Sequence, residues 1–292
     1  MDLFDDAVTA GFERAVALAA RAAMPLVGGG DGDAVDAAAV DALRLALASV
    51  PVDGRVVAGE GEKDDAPMLE PGERFGSGGP AVDIVVDPVD GTRLAASGAD
   101  GAMAILAAAP RGAFVDIGPA YYLDKLVGGA DAAGLAIDAP VASNLAMLAE
   151  ASGCPVSALR VAVQERPRNA AVATAVVAAG AQLVPFLHGD IERALRAAQS
   201  GGDLDLLLGI GGAPEGVIEA AAVRALGGTM QVRFAPQSPG EAERSRAAGL
   251  PAGVLGLGEL CAADAVVFVS PVTPCDLGAP DPAAVRIVPP AE

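Results

Sequence analysis

Residues 81–92 read Ala81-Val82-Asp83-Ile84-Val85-Val86-Asp87-Pro88-Val89-Asp90-Gly91-Thr92. The run over 81–86, apolar except for Asp83, has the length and content of a buried strand. It ends in Asp87, Pro88 stiffens the exit, and Asp90 returns a second carboxylate. Gly91 permits close backbone approach, and Thr92 adds a hydroxyl. A turn or helix opening here has free amides suited to phosphate oxygens. Two carboxylates across a tight turn can contact different cations or bridge them, and hard oxygen ligands suit Mg2+ or Mn2+. A polar turn capped by aspartates accounts for Asp-Pro-x-Asp alone. The strand, the two acids, the glycine and the threonine in this order point to a site.

Working outward, a short strand over 55–58 enters Gly59-Glu60-Gly61-Glu62-Lys63-Asp64-Asp65-Ala66-Pro67-Met68. Glycines on both sides of Glu60 let the backbone turn around it, making it the first ligand choice, with Glu62 as an outer or water-activating group. Lys63, Asp64 and Asp65 read as a solvated turn. A third patch, Gly209-Ile210-Gly211-Gly212-Ala213-Pro214-Glu215-Gly216-Val217, follows another apolar strand. Pro214 suits the opening turn of a helix, which places Glu215 at its start, and Gly211 and Gly212 are expected to expose amides to an anion. This patch lacks the Lys-Ser/Thr ending of a P-loop. Asp36, near the first turn of a helix expected over 35–49, reads by itself as a cap; beside Glu60 and Asp87 it becomes a ligand.

The rest of the pattern sets the fold class. Apolar residues at helical spacing predict a helix over 7–27 ended by Gly28-Gly29-Gly30. A loop is expected over 70–80, strands over 101–109 and 112–117, and a strand or strand edge over 121–125. From Asn144 onward helices (144–151, 169–178, 191–198, 216–225) alternate with strands (159–163, 182–186, 204–208, 230–234). Such alternation indicates layered α/β structure with crossover helices. Residues 236–253 read as a polar excursion and 265–269 as a further strand. The class is α/β with α+β character, divided into an N-terminal portion, 1–145, and a C-terminal portion, 146–292.

Charge narrows the chemistry. The 292 residues carry 38 acids against 19 bases, a formal −19, which repels a nucleic-acid backbone. A small anion meets the same repulsion unless bound cations reverse the local field. Three scattered cysteines, Cys154, Cys261 and Cys275, form neither a disulfide framework nor a zinc knuckle, and His188 is the sole histidine. No membrane span or basic leader is legible, so a cytoplasmic enzyme is expected.

Together, Gly59-Glu60-Gly61-Glu62 through Ala66-Pro67-Met68-Leu69, Asp83 to Thr92, and Gly211 to Gly216 resemble the class II fructose-1,6-bisphosphatases. This GlpX type lies within the lithium-sensitive, inositol monophosphatase-like phosphatase superfamily. The resemblance covers roughly residues 7 to 276 and implies a layered αβαβα sugar-phosphatase fold. It also implies Mg2+- or Mn2+-dependent hydrolysis, with two or three ions per subunit, of a small sugar phosphate. Fructose 1,6-bisphosphate is the leading substrate, and some members also take sedoheptulose 1,7-bisphosphate. By the same resemblance Asp36, Glu60, Asp87, Asp90 and Glu215 are the metal ligands. Asp90, Gly91 and Thr92 wall the scissile phosphate, and Asp36, Thr92 and Glu62 are the catalytic candidates. Tyr122, Arg166, Arg168, Gly189, Asp190 and Gly212 are the sugar and distal-phosphate contacts, and His188 either touches the substrate or ends a strand. A homo-oligomer is expected, with no membrane or nucleic-acid partner. Departures from the family pattern stand at Gly32, Asn169 and His188, where members usually carry Lys, His and Asp, and in a shortened C-terminal region. They keep open a specialised sugar, inositol or cyclitol phosphate, a superfamily nucleotidase, and an inactive metal- or anion-binding homologue.

Overall fold

The computed structural model describes residues 3–59 and 69–291. The chain starts with α1 (Asp6–Ala23), capped by the Asp5 carboxylate on Val8 N, and a 3-10 turn containing Pro25 ends it. Next comes α2 (Gly32–Leu47), whose cap is Asp31 on Ala34 N. Asp36 therefore lies in the second turn of α2 and does not cap it. Strands β1 (Asp53–Ala58), β2 (Arg74–Phe75) and β3 (Ala81–Asp90), helix α3 (Thr92–Ser97) and strand β4 (Met103–Pro110) follow.

After β4 come β5 (Tyr122–Gly128), α4 (Val141–Ala151), β6 (Arg160–Gln164) and α5 (Ala170–Ala178). They are followed by β7 (Gln182–Phe186), α6 (Asp190–Ala198), β8 (Leu206–Gly212) and α7 (Ala213–Ala225). The chain continues through β9 (Thr229–Phe234), α8 (Pro239–Ala247), β10 (Leu255–Gly256) and α9 (Leu257–Leu260). It ends with β11 (Val266–Pro271) and β12 (Val285–Ile287). The result is a mixed α/β fold.

Packing divides the chain into two compact units, Met1–Asp116 with Cys261–Asp276 and Asp281–Glu292, and Ile117–Leu260 with Leu277–Pro280. In the first unit six strands run β12-β11-β4-β3-β1-β2, with β3 parallel to β1 and antiparallel to β4. Phe12, Val16, Leu43, Leu47, Ile84, Val86 and Leu106 share one core, which holds α1 and α2 against one face of this sheet. The second unit has the order β10-β9-β5-β8-β6-β7, in which β6, β7 and β8 are parallel and β5 runs against β8 and β9. Leu145, Leu148 and Val176 from α4 and α5 pack on Leu126, Val161, Leu206 and Leu208 of that sheet.

Four expectations change. β3 does not stop at residue 86 or 87 but continues through Pro88 to Asp90. Residues 112–117 form no strand; their contribution is a single bridge, Phe114 to Cys261. The loop over 70–80 holds the two-residue β2, and the polar excursion over 236–253 holds α8, capped by Ser238 on Glu241 N. Among the described residues no helix is long and apolar enough to cross a membrane.

Candidate functional site

The extension of β3 determines where its two acids point. Asp87 stands opposite Ile105 and Asp90 opposite Met103, so β3 carries one more residue than β4 across this interval. In a regular strand residues three apart face opposite sides. The extra residue is a bulge, and it brings Asp87 and Asp90 into register with two β4 residues that share a face. Pro88, inside the bulge, is tolerated there because the ladder is already interrupted. Both carboxylates are buried, at 3% and 4% exposure. Asp87 Oδ1 accepts Val89 N at 3.0 Å. Gly91 then takes φ 81, a left-handed conformation that glycine adopts without strain, and α3 begins at Thr92.

Thr92 Oγ1 lies 2.9 Å from Asp36 Oδ1 and 2.9 Å from the Val89 carbonyl. With one proton, the hydroxyl donates to one of these acceptors at a time. The bond joins the second turn of α2 to the end of β3, 56 residues apart in sequence. Gly32 contributes space, since a Cβ there would lie 3.1 Å from Thr92 Cγ2. Asp36, Asp90, Gly91 and Thr92 are thus adjacent along one connected path in the first unit. Glu60 and Glu62 lie outside the described residues, and among the described residues no three His, Cys, Asp or Glu side chains close on one point.

In the second unit, the parallel strands β6 and β8 and their neighbour β7 finish at the same edge of the sheet, where Tyr122 pairs with Gly212. All of the sugar-contact residues expected in this unit sit at that edge or in the segments leaving it. Arg166 Nη2 is 3.0 Å from His188 Nδ1. Arginine is always a donor, so this bond requires a neutral imidazole with its proton on Nε2. Arg168 donates from Nε to the Ile210 carbonyl at 2.9 Å and from Nη2 to Gln164 Oε1 at 3.0 Å. Its guanidinium lies 4.6 Å from the centre of the Tyr122 ring. Gly189, at φ 75, turns the chain so that Asp190 opens α6.

Asn169 accepts Ile210 N at 2.7 Å and donates to the carbonyls of Gln164 at 3.1 Å and Ile210 at 3.2 Å. Its amide therefore staples the ends of β6 and β8.

One ionic centre is absent from the expectations. Lys125 Nζ donates to Asp190 Oδ2 at 2.8 Å and Glu219 Oε1 at 2.7 Å, and both Lys125 and Glu219 are buried. Burial opposes the ammonium, but Asp190, Glu219 and the nearby Glu215 together outweigh it and hold Lys125 above its ordinary value. Burial pushes the Glu219 carboxyl up to about 8, against the pull of Lys125.

The centre also explains Gly211, first read as an amide exposure, and its surroundings limit Gly216 and Gly212. A Cβ at Gly211 would fall on Asp190 Oδ2 and lie 3.1 Å from Lys125 Nζ. At Gly216 it would lie 2.7 Å from Leu123 Cδ1 and 3.3 Å from Lys125 Cε, and at Gly212 it would fall on the Glu215 carboxylate. The available signal was Lys125 itself, a charge at an inward position between Leu123 and Val127 of an apolar strand.

A mixed α/β protein whose central strands end in buried carboxylates and arginines is the class these features define. The profile of the family described as "Bacterial fructose-1,6-bisphosphatase, glpX-encoded" matches residues 6–277, and the chain belongs to that family. It is 40% identical over 273 residues to "Fructose-1,6-bisphosphatase 1 class 2" of Escherichia coli (strain K12), covering 88% of this chain and 81% of the relative. The same identity and coverage relate it to "Fructose-1,6-bisphosphatase class 2" of Shigella flexneri.

Proposed function

We propose that the chain is a phosphoric monoester hydrolase of small sugar phosphates, with fructose 1,6-bisphosphate as the leading substrate and sedoheptulose 1,7-bisphosphate as a second. Family membership supports the activity. The observation that carries the chemistry is the β3 bulge, which turns two buried carboxylates toward one face, with Asp90 two residues before Thr92 and its bond to Asp36.

This all-oxygen donor set suits Mg2+ or Mn2+. In this reading Asp36, Glu60, Asp87, Asp90 and Glu215 would hold two or three such ions. The chemistry supplied there is acidification of a bound water and neutralisation of charge on phosphate and leaving group. The chain's own part is to align and to move a proton. Asp90, Gly91 and Thr92 hold the scissile phosphate so that water attacks phosphorus in line with the departing sugar oxygen, with no covalent enzyme intermediate. Thr92 orients that water, and its proton passes through the Thr92 hydroxyl to the Asp36 carboxylate; Glu62 is the alternate base. The phosphorus–oxygen bond to the sugar breaks, and the sugar oxygen is protonated from solvent. Tyr122, Arg166, Arg168, His188, Gly189, Asp190 and Gly212 hold the sugar and its distal phosphate.

In the same reading the fold is the layered αβαβα sugar-phosphatase fold that the resemblance implies. Residues 1–145 supply most of the metal cage, and 146–292 most of the substrate contacts. The enzyme works in cytoplasmic carbohydrate metabolism, including gluconeogenesis, as a homo-oligomer without membrane or nucleic-acid partners. Phosphate release from a panel of sugar bisphosphates, inositol phosphates and adenosine 3′,5′-bisphosphate, with Mg2+ or Mn2+ and then with EDTA, tests it. The expected result is metal-dependent turnover of the sugar bisphosphates, with Asp87→Asn folded and nearly inactive. No release from any substrate, or an Asp87→Asn enzyme with full activity, overturns the proposal.

A second reading, a specialised sugar or cyclitol phosphate, is favoured by the Arg166–His188 bond. His188 stands where family members usually carry an acid, so at this bond the guanidinium meets a neutral ring in place of a carboxylate. The same panel ranks the two readings.

A further inference from the structure

The proposed reaction leaves Lys125 and Glu219 without a task, although they are among the most deeply withdrawn charged side chains in the second unit. We infer that Lys125 is a positioning residue, fixing the Asp190 carboxylate in the single orientation in which it meets a sugar hydroxyl. This deepens the proposed function, resting on its reading of Asp190 as a sugar contact.

The geometry of the trio is one-sided. Lys125 and Glu219 side chains are 1% and 0% exposed, whereas the Asp190 side chain is 9% exposed. Two of the three ammonium hydrogens go to Asp190 Oδ2 and Glu219 Oε1. Among the described residues Asp190 Oδ1 carries no hydrogen bond, so one oxygen of the carboxylate is anchored and the other is available to a ligand. A lone carboxylate at the start of a helix rotates about its side-chain bonds, and an anchored one has already lost that freedom before substrate arrives.

Packing alone does not account for the lysine. A buried ion pair or triad replaced whole by apolar side chains of similar volume commonly loses no stability, so packing does not require the charges. Here the surrounding elements are instead shaped around the charge. β8 carries Gly211 where a side chain would strike Asp190 and lie 3.1 Å from the Lys125 ammonium, while Gly216 of α7 first makes room for Leu123, with Lys125 Cε 3.3 Å away. The centre joins β5, the first residue of α6 and the second turn of α7, and Tyr122, Asp190 and Glu215 lie on those same elements.

The test compares Lys125→Met, Asp190→Asn and the double variant on fructose 1,6-bisphosphate and on para-nitrophenyl phosphate, which has no sugar hydroxyls. Each single variant is expected to raise KM for the sugar bisphosphate by roughly tenfold or more, the loss of one bond to a charged group. The double variant is expected to be no worse than the poorer single one, because both remove the same contact. Turnover of the aryl phosphate by Lys125→Met stays at the wild-type level.

If Asp190→Asn leaves KM unchanged, or the wild-type chain turns over no sugar phosphate, the reading of Asp190 falls and the positioning role falls with it. If Asp190→Asn raises KM and Lys125→Met does not, the role of Lys125 alone is overturned. Equal loss of both substrates in Lys125→Met marks a purely structural lysine and also overturns it. Should Lys125→Met fail to fold, the Lys125→Met/Glu219→Gln variant removes the fully buried carboxyl left without its partner and is read by the same KM ratio.

Discussion

Each unit buries one ion between two ionisable partners, and the two centres are built differently. In the first unit Asp83 is fully buried and pairs with Arg55 Nη2 at 2.6 Å and Arg111 Nε at 2.9 Å, while Gly112 N donates to it at 2.8 Å. The Arg55 and Arg111 side chains remain 39% and 25% exposed. In the second unit the ion is a cation, Lys125, and its carboxylate partners are withdrawn from water along with it. Arg55 stands directly across the ladder from Asp83, so the first centre is a cross-strand joint whose counter-charges stay hydrated. It sits toward the start of β3, away from Asp87 and Asp90. The second centre links a strand to two helix starts that carry expected site residues. The contrast separates an ionic joint that holds a sheet together from one that holds a side chain ready.

The largest effect expected from this contrast is on stability. Lys125→Ala leaves the buried Asp190 and Glu219 without their shared partner and is expected to cost about 3–5 kcal/mol. Asp83→Asn leaves arginines that water can still solvate and is expected to cost about 1–3 kcal/mol, with phosphate release unchanged. Urea unfolding of both variants provides the comparison, and equal losses would break it.

The two units should also differ in their response to pH. The folded-state value of Glu219, pushed up to about 8 by burial, lies above its value in the unfolded chain. Between those values the folded state binds more protons, so stability falls as pH rises, by up to about 1.4 kcal/mol per pH unit. Lys125, whose value is raised, keeps its contribution throughout that window and loses it only at higher pH. Denaturation midpoints from pH 5 to 8 should therefore slope downward in the wild type and flatten in Glu219→Gln. An unchanged slope would show that Glu219 is ionised throughout.

Glycine substitutions sharpen the same contrast at smaller magnitude. Gly211→Ala drives a methyl into Asp190 and Lys125 and is expected to cost about 1–3 kcal/mol while raising KM for the sugar bisphosphate. Gly112, which donates to Asp83, has φ 86 and open space around its Cβ position. Gly112→Ala therefore meets only backbone strain, about 1–2 kcal/mol, and activity is expected to be unchanged. Thermal melts with paired kinetics distinguish a steric cost at the site from a conformational cost remote from it.

Much of the second unit was legible because its signals are local. Each helix and strand expected between residues 144 and 234 forms within a few residues of its expected limits, since Gly and polar turns punctuate apolar runs of the right length. The pairing of Asp87 with Asp90 was legible as spacing, but its cause was not. A bulge is a relation between two strands, and the number of β4 residues opposite 87–90 cannot be read from β3 alone. Residues 112–117 resembled a strand by composition but found one bridging partner, Cys261, so propensity lost to the lack of a neighbour to pair with. Gly211 and Gly216 were visible as glycines, but their reason, the space taken by Asp190 and Lys125 in one case and by Leu123 and Lys125 in the other, comes from side chains distant in sequence. Asp83 was visible only as an interruption in an apolar run, because its arginines arrive from β1 and from the turn after β4.

The smallest expected effect comes from an ion pair that is neither buried nor near the acids of β3. Arg44 of α2 donates to Glu73 from Nε at 2.8 Å and from Nη2 at 3.1 Å. Those hydrogen bonds hold the Glu73 carboxyl below its ordinary value. A lowered carboxylate contributes stability that is complete above its unfolded value and lost as pH falls through its folded value, the opposite sign to Glu219. Both side chains are partly exposed, at 36% and 26%, so solvent screens the pair and Glu73→Gln is expected to cost about 0.2–1 kcal/mol at neutral pH. At a pH below the folded value, variant and wild type should converge. Added salt should shrink the neutral-pH difference while leaving the Lys125→Ala loss nearly intact, because the buried centre is shielded from counter-ions. If salt erased both differences equally, the second centre would be as hydrated as this surface pair, and the distinction between the two units would not hold.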